Sequence, residues 1–131
     1  MKLLLAVLLA TSTAAFAADA DLQTQFDSHV KPFVGKYCVG CHSGAQPTAQ
    51  FDLKSFNQIA EVRDDFARWT LLADRLTAHE MPPKAARAQP TDAERQGVID
   101  FVHAVRADEI KRLGGDPGIV LARRLSNAEY D

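Results

Sequence analysis

The segment Cys38-Val39-Gly40-Cys41-His42 holds both cysteines of this 131-residue chain, together with one of its four histidines. A Cys-x-x-Cys-His sequence is the attachment signature of a c-type haem. Two thiols three positions apart can form thioethers with the two vinyl groups on one edge of the porphyrin, and the adjacent imidazole then reaches the iron. We therefore expect Cys38 and Cys41 to hold haem c covalently, with His42 as the proximal axial ligand of the iron.

Two other functions of a Cys-x-x-Cys pair fit the surrounding sequence less well. A thioredoxin-like redox pair lies at a strand-to-helix junction, whereas the residues before Cys38 have helical spacing. A structural zinc site takes four ligands, commonly from a second cysteine pair or a histidine pair. The chain has no second cysteine pair, and His29, His79 and His103 have no ligand-like spacing. A disulfide between Cys38 and Cys41 would close a very small loop and would stabilise the fold little.

The residue expected on the other side of the iron is Met81. Met/His pairing is the usual arrangement in cytochromes c, and Met81 is the only methionine besides Met1. Two prolines follow it directly, and they end the preceding helix and restrict the backbone, which suits a weak thioether ligand. His79 is the alternative sixth ligand, and bis-histidine ligation would lower the potential. His79 otherwise reads as an exposed residue at a helix end.

The first 17 residues have the layout of a cleaved secretory signal peptide. Lys2 precedes an apolar run, and Ala15-Phe16-Ala17 forms a small-residue cleavage pattern. An uncleaved anchor is the alternative, which the short apolar run disfavours. Cleavage leaves 114 residues with 14 basic and 17 acidic side chains, enough for one compact domain. We expect an exported, periplasmic protein whose mature part has no membrane span and lacks the basic face of a nucleic-acid binder.

Three helices are expected around the Cys-x-x-Cys-His motif, at about residues 22–37, 58–78 and 92–113. Pro32 is expected to kink or shorten the first helix. Thr91 and Glu94 form a capping box at the start of the third. The expected buried face of the third helix consists of Val98, Phe101, Val102 and Val105. Its expected solvent-facing charges are Arg95, Arg106 and Lys111. The pattern predicts a small all-α haem protein in which the macrocycle is part of the core.

The segment 51–56, between the first two helices, alternates too briefly to found a sheet. We expect it to be an extended or turn segment whose Leu53 and Phe56 cover the haem. The expected core residues of the second helix are Phe66, Trp69 and Leu72. His29 and His103 are expected on the surface. Three basic residues lie near the motifs in sequence: Lys36, Lys84 and Arg87. We expect them to form either a weak docking patch or simply solvated surface.

Five sequence motifs, taken in order, resemble the planctomycete-type cytochrome c domain that opens large exported bacterial proteins of unknown function. They are Tyr37–His42, Phe51–Leu53, Trp69 with Leu72 and Leu76, Glu80–Pro83 and Gln89–Arg95. The resemblance implies a cytochrome c-like fold in residues 18–113, with covalent haem on Cys38 and Cys41 and with His42 and Met81 as axial ligands. The end of the chain, Arg123–Asp131, resembles the start of the next domain in those proteins. Residues 114–131 are therefore expected to be a tail that begins a following domain and is poorly ordered by itself.

The function expected from these features is one-electron transfer between redox partner proteins in the periplasm. An electron carrier is favoured over a stand-alone enzyme. One alternative is an electron-entry module of a larger periplasmic oxidoreductase whose catalytic part lies beyond Asp131. The other is a haem sensor or peroxidase-like site, which requires Met81 to leave the iron readily.

Overall fold

The computed structural model describes residues 19–114. Within them the chain is mostly helical and forms no β-strand, which agrees with the predicted all-α class. The helices are α1 (19–37), α2 (Ile59–Asp64), α3 (Phe66–Thr77) and α4 (Asp92–Arg112). None of the helices in this range is long and apolar enough to cross a bilayer. The predicted signal peptide and the predicted tail from residue 115 onward lie outside the described residues.

Helix α1 runs through Pro32 without being shortened. In a regular helix the proline ring would clash with the carbonyl four residues earlier. Here the preceding turn, Phe26–Val30, is a π-helical turn, which is wider than an α-helical one. Pro32 then occupies an early position of the α-helical segment Lys31–Tyr37, where a backbone N–H is not needed. The predicted end of the helix near Tyr37 is confirmed.

The predicted second helix is in fact two helices, and the prediction of one continuous helix over 58–78 was wrong. Asp65, with φ −117° and ψ 36°, separates α2 from α3. Helix α2 has its own start, where the Glu61 carboxylate accepts hydrogen bonds from the N–H groups of Asn57 (2.5 Å) and Gln58 (3.0 Å). These two bonds hold the pKa of Glu61 below its usual value. The break lies four residues before Trp69, which belongs to α3.

Helix α4 begins where the sequence predicts. The Thr91 hydroxyl accepts a hydrogen bond from the N–H of Glu94 (3.2 Å), and the Glu94 carboxylate accepts one from the N–H of Thr91 (2.8 Å). This reciprocal pair satisfies two backbone donors that the first turn leaves unpaired. The predicted buried face is also confirmed, since all four of its residues are buried: Val98, Phe101, Val102 and Val105. Helix α4 packs against both the π-helical turn of α1 and α3.

Trp69 lies at the centre of the core. It is 1% exposed, and its ring centroid lies 5.3 to 6.4 Å from those of four phenylalanines in edge-on arrangements. Such arrangements are the favoured geometry of aromatic pairs. The four rings belong to Phe26, Phe51, Phe56 and Phe101. Because they come from α1, from the loop before α2 and from α4, Trp69 joins these parts into one core. Phe66 and Leu72, also predicted in the core, are partly buried against it.

A charged network joins the beginning of α1 to α2 and α4. Arg63 Nη2 lies 2.7 Å from Asp19 Oδ1 and 2.5 Å from Asp108 Oδ2, and Arg63 Nε lies 3.3 Å from Glu109 Oε2. The Arg63 side chain is only 12% exposed. Since its partners are distant in sequence, no local pattern predicts this network.

Candidate functional site

The Cys-x-x-Cys-His motif forms a hydrogen-bonded turn that continues directly from α1. The N–H of Cys38 donates to the carbonyl of Val34 (2.9 Å), as in a further helical step. The N–H groups of Cys41 and His42 both donate to the carbonyl of Cys38, at 3.1 and 2.9 Å. The structure therefore brings the two predicted attachment cysteines and the predicted proximal histidine together on one fixed stretch of backbone.

The loop after the motif folds back and forms two backbone hydrogen bonds to it. The N–H of Thr48 donates to the carbonyl of Cys41 (3.0 Å), and the N–H of Leu53 donates to the carbonyl of His42 (2.9 Å). The Leu53 side chain is buried in the core. The segment 51–56 contains turns and no strand, as predicted. Leu53 thus connects the motif to the apolar interior.

The two thiols are free, with Cys38 half-buried and Cys41 exposed. Burial raises the pKa of the Cys38 thiol to about 11, so this thiol is protonated at neutral pH. A thioredoxin-like pair instead depends on a thiol whose pKa is lowered. The motif also follows a helix rather than a strand. Both observations oppose the thioredoxin-like alternative. For zinc, the described part of the chain contains no group of three or more His, Cys, Asp or Glu side chains arranged to hold a metal ion.

The His42 ring is half-buried at the end of the motif. Its Nδ1 atom is buried and has no hydrogen-bond partner among residues 19–114. The imidazole ring is nearly perpendicular to the ring of Phe51, with 6.3 Å between centroids. A buried polar nitrogen without a partner destabilises a fold and calls for an explanation, for which a bound cofactor is one. The chemistry of the donor set, two free thiols and an imidazole, fits haem c.

An apolar cavity of about 260 Å³ lies beside the motif. Val39 of the motif lines it, together with Leu53, Phe56 and Trp69, and two lysines border it, Lys31 and Lys54. The indole Nε1 of Trp69 is one of four buried side-chain nitrogens without a hydrogen-bond partner in the described residues. None of the predicted haem ligands lines this cavity, so the motif contributes to it through Val39.

Met81 has a fixed main chain and a partly exposed side chain. Its N–H donates to the carbonyl of Arg75 at the end of α3 (3.3 Å), and its carbonyl accepts a hydrogen bond from Arg95 of α4. The residue is 38% exposed, so it is not a core filler. In residues 19–114 no hydrogen bond or ring contact joins Met81 to His42. The structure therefore places the predicted sixth ligand in an anchored loop without showing it opposite the predicted proximal ligand.

His79, the alternative sixth ligand, terminates helix α3. The N–H of Glu80 donates to the carbonyl of Arg75 (3.0 Å), and the N–H of His79 donates to that of Leu76 (3.1 Å). This is the Schellman arrangement, in which the residue after the C-cap adopts a left-handed conformation. His79 does so with φ +54°. It is exposed, as predicted, and its position has an explanation in the backbone. His29 and His103 are exposed as well, again as predicted.

Arg95 is a correction to the sequence analysis, which placed it on the solvent-facing side of the third helix. It is 6% exposed, and its guanidinium donates to the carbonyl of Met81 and to the side-chain oxygen of Gln89 (3.1 Å). The loop between α3 and α4 packs over Arg95 while residues 92–94 beside it stay exposed, which helical spacing alone does not reveal. Arg106 and Lys111 are exposed as predicted.

The basic residues predicted near the motifs are exposed, and one of them is paired. Lys36 Nζ lies 3.5 Å from Glu94 Oε1 and 4.6 Å from the centroid of the Tyr37 ring. Lys84 and Arg87 are exposed in the loop between α3 and α4.

No protein-family model, curated protein or solved structure matches this chain. What the structure itself shows is a mostly helical fold in residues 19–114, with a Cys-x-x-Cys-His turn directly after α1. The resemblance to the planctomycete-type cytochrome c domain stays a prediction.

Proposed function

We propose that this protein is an exported c-type cytochrome that transfers single electrons through one covalently attached haem. The observation that carries the proposal is the turn after α1, whose backbone hydrogen bonds hold Cys38, Cys41 and His42 together. When bound, the haem supplies a reversible one-electron couple between Fe(III) and Fe(II). The protein supplies attachment, ligands and surroundings.

In this proposal Cys38 and Cys41 provide the two thioether bonds, and His42 and Met81 provide the axial ligands. The support for His42 is its position directly after Cys41 in the hydrogen-bonded turn, next to both thiols. The support for Met81 is a main chain held at both its N–H and its carbonyl, in a loop where the side chain remains accessible. A weak thioether ligand benefits from such anchoring because little conformational freedom is lost when it binds.

The apolar residues beside the motif set the surroundings of the iron. Phe51 lies against the His42 ring, and Leu53 is hydrogen-bonded through its N–H to the His42 carbonyl. Both are buried, and the Phe51 ring lies edge-on to that of Trp69, with 6.4 Å between centroids. Side chains of this kind exclude water and disfavour additional charge, which raises the reduction potential. The proposed partners are redox proteins of the periplasm, and the expected route to that compartment is the signal peptide in residues 1–17.

The first experiment asks whether haem is covalently attached. The full chain, produced in a bacterium that matures c-type cytochromes, is expected to keep its haem through denaturing electrophoresis and to give the pyridine haemochrome spectrum of haem c. Cys38→Ala and Cys41→Ala are each expected to lose one thioether, with a measurable shift of that spectrum. Thr48→Ala is the matched control, since this side chain is exposed and the backbone bond from its N–H to Cys41 is kept. A parent protein without covalent haem would end the proposal.

The second experiment identifies the sixth ligand by comparing Met81→Ala with His79→Gly. Glycine suits the left-handed backbone of His79, so that substitution removes the imidazole without disturbing the helix end. We expect His79→Gly to retain the ferric spectrum of the parent, and Met81→Ala to change it and to let the ferrous protein bind CO rapidly. The opposite pattern would assign the sixth position to His79.

A further inference from the structure

The first turn of α4 contacts both segments that carry the proposed haem ligands. The Glu94 carboxylate accepts a hydrogen bond from the hydroxyl of Tyr37 (2.9 Å), the residue before Cys38. The next residue, Arg95, donates to the main chain of Met81. Two adjacent residues therefore connect one helical turn to the attachment motif and to the methionine loop.

The hydrogen bonds of Arg95 close the loop that carries Met81. The guanidinium Nη1 donates to the carbonyl of Met81 and Nη2 donates to the Gln89 side-chain oxygen at 3.1 Å, while the buried Nε has no partner in the described residues. The amide nitrogen of Gln89 donates in turn to the carbonyl of Pro83 (2.9 Å). The guanidinium thus holds both ends of the loop over residues 81–89. Lysine cannot reproduce this arrangement, because it has no planar fork of donors.

The burial of Arg95 indicates that these hydrogen bonds are needed. Burying a charged side chain is unfavourable unless it is well hydrogen-bonded, and an apolar residue would fit a position that only had to fill space. Arg95 is 94% buried, by contrast with the exposed Arg106 further along α4. The loop it holds contains no regular helix or strand to satisfy the carbonyl of Met81.

We propose that Arg95 is a positioning residue for Met81, and that its guanidinium determines how firmly the thioether is held as the sixth ligand. This inference rests on the proposed function. Arg95 does not touch the iron; it acts through the main chain of Met81. Loss of a charge-assisted, part-buried hydrogen bond to the Met81 carbonyl corresponds to a shift of about 10- to 100-fold in the equilibrium between bound and released Met81.

The test compares four variants of the haem-loaded full chain, Arg95→Met, Arg95→Lys, Gln89→Ala and Val105→Ala. The readouts are the apparent affinity for added imidazole, the rate of CO binding to the ferrous protein, and thermal unfolding. Val105 is buried on the same helix, and Val105→Ala measures what loss of stability alone does to ligand binding. Gln89 is exposed, so Gln89→Ala removes one bond of Arg95 without endangering the fold.

We expect both Arg95 variants to bind imidazole about 10- to 100-fold more tightly than the parent and to admit CO faster. We expect Gln89→Ala to show a smaller increase, and Val105→Ala to match the parent despite its lower stability. Arg95 variants that bind imidazole and CO no differently from Val105→Ala, with the parent closed to CO, would overturn the inference while leaving the proposed function intact. A parent that already binds CO rapidly would instead refute ligation by Met81. Amide hydrogen exchange in residues 81–89, faster in Gln89→Ala, gives an independent measure of loop anchoring.

Discussion

Replacing Arg63 by methionine tests how much one largely buried cation contributes to the stability of the fold by joining α2 to the start of α1 and to α4. Arg63, on α2, contacts carboxylates at the start of α1 and near the end of α4. Methionine has similar length without the charge, so the substitution removes electrostatic interactions with little loss of volume. The carboxylate of Asp108, only 16% exposed, then loses its buried partner.

The expected loss follows from the exposure of each partner. A hydrogen bond to a buried charged group contributes about 1.5–3 kcal/mol to stability. The Arg63–Asp108 pair is in that range, because both side chains are largely buried. Asp19 is 42% exposed and also lies 3.5 Å from Arg112, so its pair with Arg63 contributes about 0–1 kcal/mol. The sum of these two pairs is about 1.5–4 kcal/mol, which corresponds to a fall in Tm of about 7–20 °C for a domain of this size.

Urea unfolding at pH 7 measures this loss, and a double-mutant cycle assigns it to pairs. We expect the coupling energy of Arg63→Met with Asp108→Asn to exceed that with Asp19→Asn by about 1 kcal/mol or more. Only the Asp19 coupling is expected to fall strongly in added salt, because exposed pairs are screened more than buried ones. Arg106→Met, on the exposed face of α4, is the control and is expected to remain within about 0.5 kcal/mol of the parent. An Arg63→Met protein as stable as that control, or equal couplings for the two carboxylates, would refute the reasoning.

Three further predictions concern α4 and the core. Thr91→Ala is expected to lower the free energy of unfolding by about 1 kcal/mol through loss of the N-cap, whereas Thr91→Ser restores it; equal stability of the two variants in urea would contradict this. Hydrogen bonds from the Thr91 backbone, then from Tyr37, lower the pKa of Glu94 to about 2 from its ordinary 4.5. The stability contributed by this carboxylate is therefore present above pH 4.5 and is lost as the pH falls toward 2. Glu94→Gln should make the free energy of unfolding depend less on pH in that interval, and an unchanged dependence would refute the assignment. Trp69→Ala is expected to destabilise the fold by about 3–5 kcal/mol in thermal unfolding, and Trp69→Phe by much less because it also removes the unpartnered Nε1; equal losses would contradict the central position of that ring.

The sequence predicts those features of the fold whose causes are local. The start of α4 depends on reciprocal side-chain to backbone hydrogen bonds between Thr91 and Glu94, three positions apart, and both bonds are present in the structure. The buried face of α4 follows from helical spacing. The close grouping of Cys38, Cys41 and His42 is likewise local, since it needs only a turn after a helix.

The features that sequence analysis missed depend on contacts between distant segments or on backbone conformation. Arg95 reads as a surface charge until the loop containing Met81, fourteen positions earlier, folds over it. The break at Asp65 interrupts a run whose apolar spacing is continuous on both sides. The two prolines after Met81 predicted the end of α3, but the left-handed backbone of His79 was not predicted, because glycine would ordinarily signal such a position.

The carboxylate of Glu94 joins the beginning of α4 to the end of α1 through hydrogen bonds to both. Its Oε2 atom accepts the N–H of Thr91 and completes the helix cap, while its Oε1 atom accepts the hydroxyl of Tyr37. Capping and docking therefore use the same side chain in one conformation, and neither can be lost without weakening the other. Because Arg95 follows directly in the chain, forming this cap also fixes the register in which the guanidinium meets the carbonyl of Met81. The capping signal of Thr91 and Glu94 can be recognised in the sequence, and it thus positions the contact between Arg95 and Met81, which cannot be recognised there.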